Sequence, residues 1–283
     1  MGLAFGAGKQ STAGVQMKRI FIPVVVIVGL TACGISQQQE VQMGQQEAAQ
    51  INQQLPMVND PEVNRYINLL GDQIASHTSR ADLDWRFFVV NASEVNAFAV
   101  PGGYVYVNRG LIERTDQMDE LAGVLGHEIQ HVVLRHTVKQ MEQMQGANIG
   151  VTLACVLTSV CNSGIAQAGI NIAGTALFAK FSRTDESQAD AGAVPNTVNA
   201  GINPHGIVTM FEKLIAEQKS RPGAVDAFFA THPGEEERIT AVQAIINQYP
   251  ASQLRGLSSN TTNYNTFRAR IRSLPPAPPP RTQ

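Results

Sequence analysis

The five residues His127-Glu128-Ile129-Gln130-His131 place two imidazoles four positions apart. On a helix, positions i and i+4 share a face, so both rings can meet one metal ion. Zinc suits nitrogen donors in a tetrahedral arrangement, and a catalytic site keeps one position open for water. Glu128, beside the first histidine, can then take a proton from that water. A purely structural reading is a surface helix with two hydrogen-bonded histidines, because such five-residue patterns also arise by chance. The apolar neighbours Leu121, Val124, Leu125, Val132 and Val133 favour a packed helix.

A third metal ligand is available downstream. The run Ser182-Arg183-Thr184-Asp185-Glu186-Ser187-Gln188-Ala189-Asp190 puts Glu186 and Asp190 at i and i+4 on one helical face. Glu186 can bind the metal while Asp190 holds a ligating histidine in orientation. A solvated acidic face is the plainer alternative. It loses ground because the cluster follows closely on residues 143–179, a stretch without a single charge. The three cysteines are Cys33, Cys155 and Cys161. Cys155 and Cys161 are either a disulfide or two free buried thiols. On one continuous helix they lie too far apart to bridge, so a bond requires a bend, for which Asn162-Ser163-Gly164 offers the residues.

These side chains need a scaffold, and the apolar periodicity supplies one. A long helix is expected over about 116–144, opened by Asp116, Asp119 and Glu120, which suit the positive end of its dipole. Asp60-Pro61 starts a helix with Val63, Tyr66, Ile67, Leu70 and Ile74 at helical spacing. Strands are expected at 85–90, 97–100 and 104–107, the last two joined through Pro101-Gly102-Gly103. Asn203-Pro204 and His232-Pro233 open two later helices. The uncharged stretch reads as a buried or surface-dipping helical pair, since it is too short and too interrupted by polar residues for two membrane spans. The sequence divides into a signal segment 1–32, a Gln-rich segment 33–55, a catalytic domain 56–255 and a Pro-rich tail 256–283.

Composition narrows the function. With 283 residues, 43% hydrophobic and 16% charged, the chain is built to bury a core. A net charge of −2 leaves no basic footprint for nucleic acid. Lys18 and Arg19 precede the apolar residues 20–30, an export-signal pattern whose start fits Met17 best. The run ends Leu30-Thr31-Ala32-Cys33, which resembles a bacterial lipobox with Cys33 as the lipidated residue. The alternative is an uncleaved anchor helix.

Four ordered segments carry a wider resemblance: NAFAVPGGYVYVNRGLI (96–112), HEIQHVVLRH (127–136), FSRTDESQAD (181–190) and THPGEEERI (231–239). They resemble the HtpX- and Oma-type zinc metallopeptidases, the CAAX prenyl protease family of gluzincins, and most of all its single-domain, lipid-anchored periplasmic branch. The resemblance covers residues 38 to 248. It implies an α+β, mainly helical zincin-type domain with a small antiparallel sheet beside the active-site helix. It also implies one zinc per chain held by His127, His131 and Glu186, with Glu128 as general base and Asp190 behind a ligand. His232 and Arg238 fall where the family is thought to stabilise the oxyanion, although His232 could instead close the metal site in a latent form. Asn96, Ala97 and Phe98 fall on an edge strand that could pair with an extended peptide or simply belong to the core. His136, His77 and His205 read as structural. The expected function is an outer-membrane-anchored periplasmic endopeptidase that degrades misfolded or misassembled envelope proteins. A chaperone-like lipoprotein binding outer-membrane polypeptides and a structural zinc protein are the alternatives.

Overall fold

A computed structural model describes residues 1–2, 34–146, 180–233 and 235–276. Cys33, Cys155 and Cys161, and residues 147–179 of the uncharged stretch, lie outside the described residues. Among the described residues, no helix is long and apolar enough to cross a membrane.

Three strands form one sheet in the order β1-β3-β2: β1 Arg86–Val90, β2 Ala97–Val100 and β3 Tyr104–Asn108. β2 and β3 form the expected antiparallel hairpin, with Gly102 and Gly103 at φ 84° and 104° in the turn. The expectation of a wholly antiparallel sheet needs correction, because β1 pairs parallel to β3. Residues 91–96 carry the chain across the end of β3, where Asn108 donates to the Asn96 carbonyl and Gly110 to that of Ala92. The sheet is therefore mixed.

Both faces of this sheet are covered. Phe87, Val89, Ala97, Ala99, Val105 and Val107 point into the main core. There they join α2 (Pro61–Ala75) and α4 (Met118–Val133), which follows the short α3 (Arg109–Arg114). Asp60 caps α2 by accepting from the backbone N–H groups of Glu62 and Val63, each at 3.1 Å. Val90, Phe98, Val100 and Tyr106 form a second cluster with Ala48 and Ile51 of α1 (Gln37–Gln54). Tyr106 lies between the rings of Phe88 and Phe98, with centroids at 4.9 Å on each side. Gly44 lets α1 sit on the hairpin turn, since a β-carbon there would fall 1.7 Å from the Pro101 carbonyl oxygen. The Gln-rich segment is thus a packed helix, and the domain expected over 56–255 begins earlier.

It also ends later than expected. Beyond α6 (Arg183–Asn199), α7 (His205–Ser220), α8 (Asp226–Thr231), α9 (Glu235–Ile246) and α10 (Ala251–Leu254) comes α11 (Thr262–Ser273). α11 buries Tyr264, Phe267 and Ile271, and Phe267 stacks on Tyr66 of α2 at 4.5 Å. Between α4 and α6 the chain also forms α5 (His136–Gly146), so the single helix expected over 116–144 is broken. Leu134 ends α4, and Arg135 takes a left-handed φ of 57°.

α7 crosses the start of α4 at close range. A β-carbon on Gly206 would lie 2.2 Å from the Asp119 carbonyl, and one on Gly123 would lie 2.7 Å from Ile207. This packing, with Ser259 on the other side, leaves Asp119 6% exposed. Burial pushes its carboxyl up to about 6, against the Ser259 hydrogen bond and with help from the charge of Glu120. Between the ordinary value near 3.8 and about 6, the folded state keeps a proton that the unfolded chain has released. Stability therefore falls as pH rises through that window and stays lower above it. Asp119→Asn is expected to remove this loss, a gain of about 1–3 kcal/mol at neutral pH. The check is thermal melting of both proteins from pH 4 to 7. A difference in Tm that fails to grow with pH would reject the assignment.

Candidate metal centre

α4 is buried along nearly its whole length, which is what the apolar flanks of the histidine pair require. His127 and His131 project from one face, with their Nε2 atoms 2.9 Å apart. α6 supplies the opposing carboxylate. Its start is fixed by a reciprocal cap: Ser182 Oγ accepts from the Asp185 N–H at 3.1 Å, and Asp185 Oδ2 accepts from the Ser182 N–H at 3.0 Å. Ala193 of α6 packs beside Gly126 of α4, and Gly192 of α6 leaves room for the Gln130 side chain of α4. Glu186, within the first turn of α6, then faces both histidines. Its Oε2 lies 3.5 Å from His127 Nε2 and its Oε1 lies 3.4 Å from His131 Nε2.

A fourth donor joins them. His232, just after α8, puts Nδ1 3.3 Å from His127 Nε2 and 3.2 Å from Glu186 Oε1. Tetrahedral zinc with bonds of roughly 2.0–2.1 Å has ligand atoms about 3.3–3.4 Å from one another. The separations of 2.9 to 3.5 Å fit that figure. The donor set of three imidazoles and one carboxylate is also one that zinc favours. The residues therefore fit the ion, and His127, His131, Glu186 and His232 are those that can hold it.

Behind the donors lies a second set of polar contacts. His127 Nδ1 is 2.8 Å from Asp190 Oδ1, which leaves Nε2 for the metal. Arg238, brought in by α9, donates to both Asp190 oxygens at 2.7 and 2.8 Å and reaches Glu186 Oε2 at 2.6 Å. Its guanidinium carbon stands 4.3 Å over the Phe211 ring. The sequence reading places Arg238 at an oxyanion. In the structure its Nε and Nη2 hold Asp190, while Nη1 faces Glu186.

The electrostatics favour a cation among the donors. Burial works against ionising Glu186, yet the fields of His232 and His127 hold its carboxyl well below the ordinary range. Burial likewise opposes ionisation of Asp190, and the Arg238 and His127 hydrogen bonds overcome it. For His127 burial acts downward, but Glu186 lifts the imidazole to about 9. Burial depresses His131 well below the usual histidine range, with the Glu186 hydrogen bond opposing. A divalent ion in the donor set supplies the positive charge that the carboxylates otherwise draw from a proton on His127.

Glu128 lies outside the donor set, as its direction on the helix predicts. It is fully buried, and neither oxygen has a hydrogen-bond partner in the structure. Its Oε1 is 3.4 Å from His232 Nε2. Burial raises its pKa, against the pull of His232 and His127. Those are the properties of a proton acceptor held in a dry site.

The remaining site residues divide. β2 is an outer strand packed against α4. Ala97 and Phe98 nevertheless point into the two apolar clusters, so only backbone is left to meet a ligand. Asn96 is buried, and its Oδ1 has no hydrogen-bond partner. His77 has no place in the centre, nor has His205, which bonds Asn203. His136, read as structural and off the metal-facing side, lies outside the donor set and sits with Nδ1 2.9 Å from His131 Nδ1, the ring nitrogen that does not face the other donors. That contact was not legible in the sequence, because a continuous helix would turn His136 away from His131. Sequence reasoning also passed over Phe181, whose ring stacks on His131 at 3.8 Å.

The centre predicts one zinc per chain. His127→Ala or Glu186→Ala should each abolish stoichiometric zinc, because either change removes one of the four donors from a buried tetrahedral set. Metal analysis of purified protein checks this, and full zinc retention in both variants would reject the ligand assignment.

Comparison with known proteins agrees with this geometry. Residues 61–246 match the model of peptidase family M48. The chain is 33% identical over 219 residues to the Beta-barrel assembly-enhancing protease of Escherichia coli (strain K12), covering 74% of this chain and 44% of that protein. It thus spans less than half the length of that relative. It is 30% identical over 178 residues to the Mitochondrial metalloendopeptidase OMA1 of Schizosaccharomyces pombe, covering 63% of this chain and 51% of that one. Metalloprotease LoiP of Escherichia coli (strain K12) is 28% identical over 178 residues, covering 62% and 68%. With two thirds of its length matched and the donor set in place, the chain belongs to peptidase family M48, whose members are zinc-dependent.

Proposed function

We propose that this protein is a zinc-dependent endopeptidase of the bacterial envelope, held to the outer membrane through Cys33 and acting on misfolded or misassembled envelope proteins. The observation that carries the hydrolytic part is Glu128. A structural zinc site has no use for a buried carboxylate that neither ligates nor hydrogen-bonds, at the edge of its donor set. Bound zinc supplies Lewis acidity, polarising the scissile carbonyl and making water more acidic. Glu128 then accepts a proton from the attacking water and returns it to the leaving amine nitrogen. Asp190 keeps the His127 proton on Nδ1, and Arg238 balances the charge of Asp190 and Glu186. The outer edge of β2, unpaired among the described residues, is placed to align an extended peptide by main-chain hydrogen bonds.

In this structure His232 completes the donor set, and none of the four donors or Glu128 is more than 3% exposed. We read this as a closed, latent arrangement that opens when His232 withdraws and leaves its place to water and substrate. The same closure favours a second reading, in which polypeptide binding is the main task and cleavage is secondary.

Two experiments test these readings. Glu128→Gln should keep zinc and fold yet lose about 10²- to 10⁴-fold in cleavage of a denatured membrane protein. Cleavage at the wild-type rate with zinc bound would remove Glu128 as the base. Complementation of outer-membrane defects by the same variant would instead support the binding-first reading. For the anchor, the support is the basic start, the apolar run and Leu30-Thr31-Ala32-Cys33. Cys33→Ser should lose lipid-precursor labelling and leave the membrane fraction, and unchanged labelling would reject Cys33.

A further inference from the structure

The two metal-binding histidines of α4 have different support. His127 Nδ1 faces the carboxylate of Asp190, whereas His131 Nδ1 faces another neutral ring, that of His136, at 2.9 Å. We infer that His136 is a positioning residue for the metal ligand His131, and that the left-handed turn at Arg135, held by Glu40 of α1, puts it there.

Proton placement follows from the distances. A ring nitrogen that binds metal must present its lone pair, so His131 carries its proton on Nδ1. That N–H can donate to His136 only if His136 Nδ1 is bare, which puts the His136 proton on Nε2. His136 Nε2 lies 3.2 Å from Gln188 Oε1 and 3.7 Å from Asp185 Oδ1, both acceptors on α6. The relay therefore runs in one direction, from His131 through His136 to the start of the helix that carries Glu186. Phe181 stacks on the His131 ring, so the ring edge alone remains for fixing its rotation.

A neutral partner suits this place. An imidazole behind His131 adds no charge to a centre that already buries Glu128, Glu186 and Asp190, whereas a carboxylate would add another ionisable group to it.

Position 136 reaches His131 because the helix stops. Five residues along a continuous helix turn a side chain about 140° away from the first. The left-handed turn at Arg135 is unfavourable for a residue with a β-carbon, so it needs support. Arg135 Nε lies 2.7 Å from Glu40 Oε2, and its guanidinium also meets the Ile35 carbonyl. Glu40 Oε1 in turn holds Arg80, which donates to the Val132 carbonyl at the end of α4.

The test is zinc affinity of the full chain, measured by competition with a chelator, alongside the visible spectrum of the cobalt-substituted protein. His136→Leu removes the acceptor and is expected to weaken zinc about 10- to 100-fold. His136→Asn offers an amide oxygen near the Nδ1 position and is expected to restore affinity to within about threefold, with the wild-type cobalt spectrum. Gln188 is exposed, so Gln188→Ala should fold normally and still weaken zinc by about threefold or more. Zinc binding by His136→Leu within about threefold of wild type would overturn the inference. So would equal losses in the Leu and Asn variants. If His136→Leu does not fold, Gln188→Ala decides, and wild-type affinity in it overturns the relay. The inference rests on the metal centre, and His127→Ala serves as the control. Zinc loss there without loss in the His136 variants rejects the relay alone.

Discussion

Arg238 and Asp190 meet through two hydrogen bonds of 2.7 and 2.8 Å in a site where both are nearly fully buried. Around this pair three helices are brought to one point. α6 carries Asp190 and Glu186, α9 carries Arg238, and α4 carries the histidine that Asp190 orients. Both carboxylates sit deep in an apolar bundle, so each must find a positive partner or hydrogen-bond donors. Arg238 serves both, with Nη1 on Glu186 and the other nitrogens on Asp190. A cation among the donors satisfies what remains, so the metal belongs to the charge balance of the core as well as to its chemistry.

The close packing that shapes this centre relies on small residues at chosen places. Gly192 leaves room for Gln130 between α6 and α4, while Gly123 and Gly206 bring α4 and α7 together. A side chain at Gly206 would collide with the backbone of Asp119, so the crossing admits no larger residue without moving a helix. The α4–α7 crossing also buries Asp119 and raises its pKa.

The turn at Arg135 extends the centre toward the N-terminal part of the domain. Glu40 of α1 reaches Arg80 and Arg135, and these hold the end of α4 and the start of α5. α1 also covers the outer face of the sheet through Ala48 and Ile51. One helix therefore braces both the sheet and the place where the ligand-bearing helix stops. Its Gln-rich sequence hides this, because the residues that matter are a glutamate, a glycine and two apolar side chains among many glutamines.

The sequence by itself determined the ligand-bearing helix, the carboxylate pair at Glu186 and Asp190, the hairpin turn and the mainly helical class. Each of these depends on spacing along one element, where helical and strand periodicity fix which side chains share a face. Its direction on α4, which differs from that of His127 and His131, also kept Glu128 out of the donor set. Tertiary structure decided the rest. The parallel pairing of β1 depends on how residues 91–96 cross the sheet, which no local pattern encodes. The hold of Arg238 on two carboxylates and the entry of His232 Nδ1 into the donor set depend on where separate helices meet. The contact of His136 with His131 Nδ1 escaped the sequence because periodicity assumes an unbroken helix, and an arginine in a left-handed turn gives no warning of the break. That conformation is held by Glu40, 95 residues earlier in the chain, together with the Ile35 carbonyl.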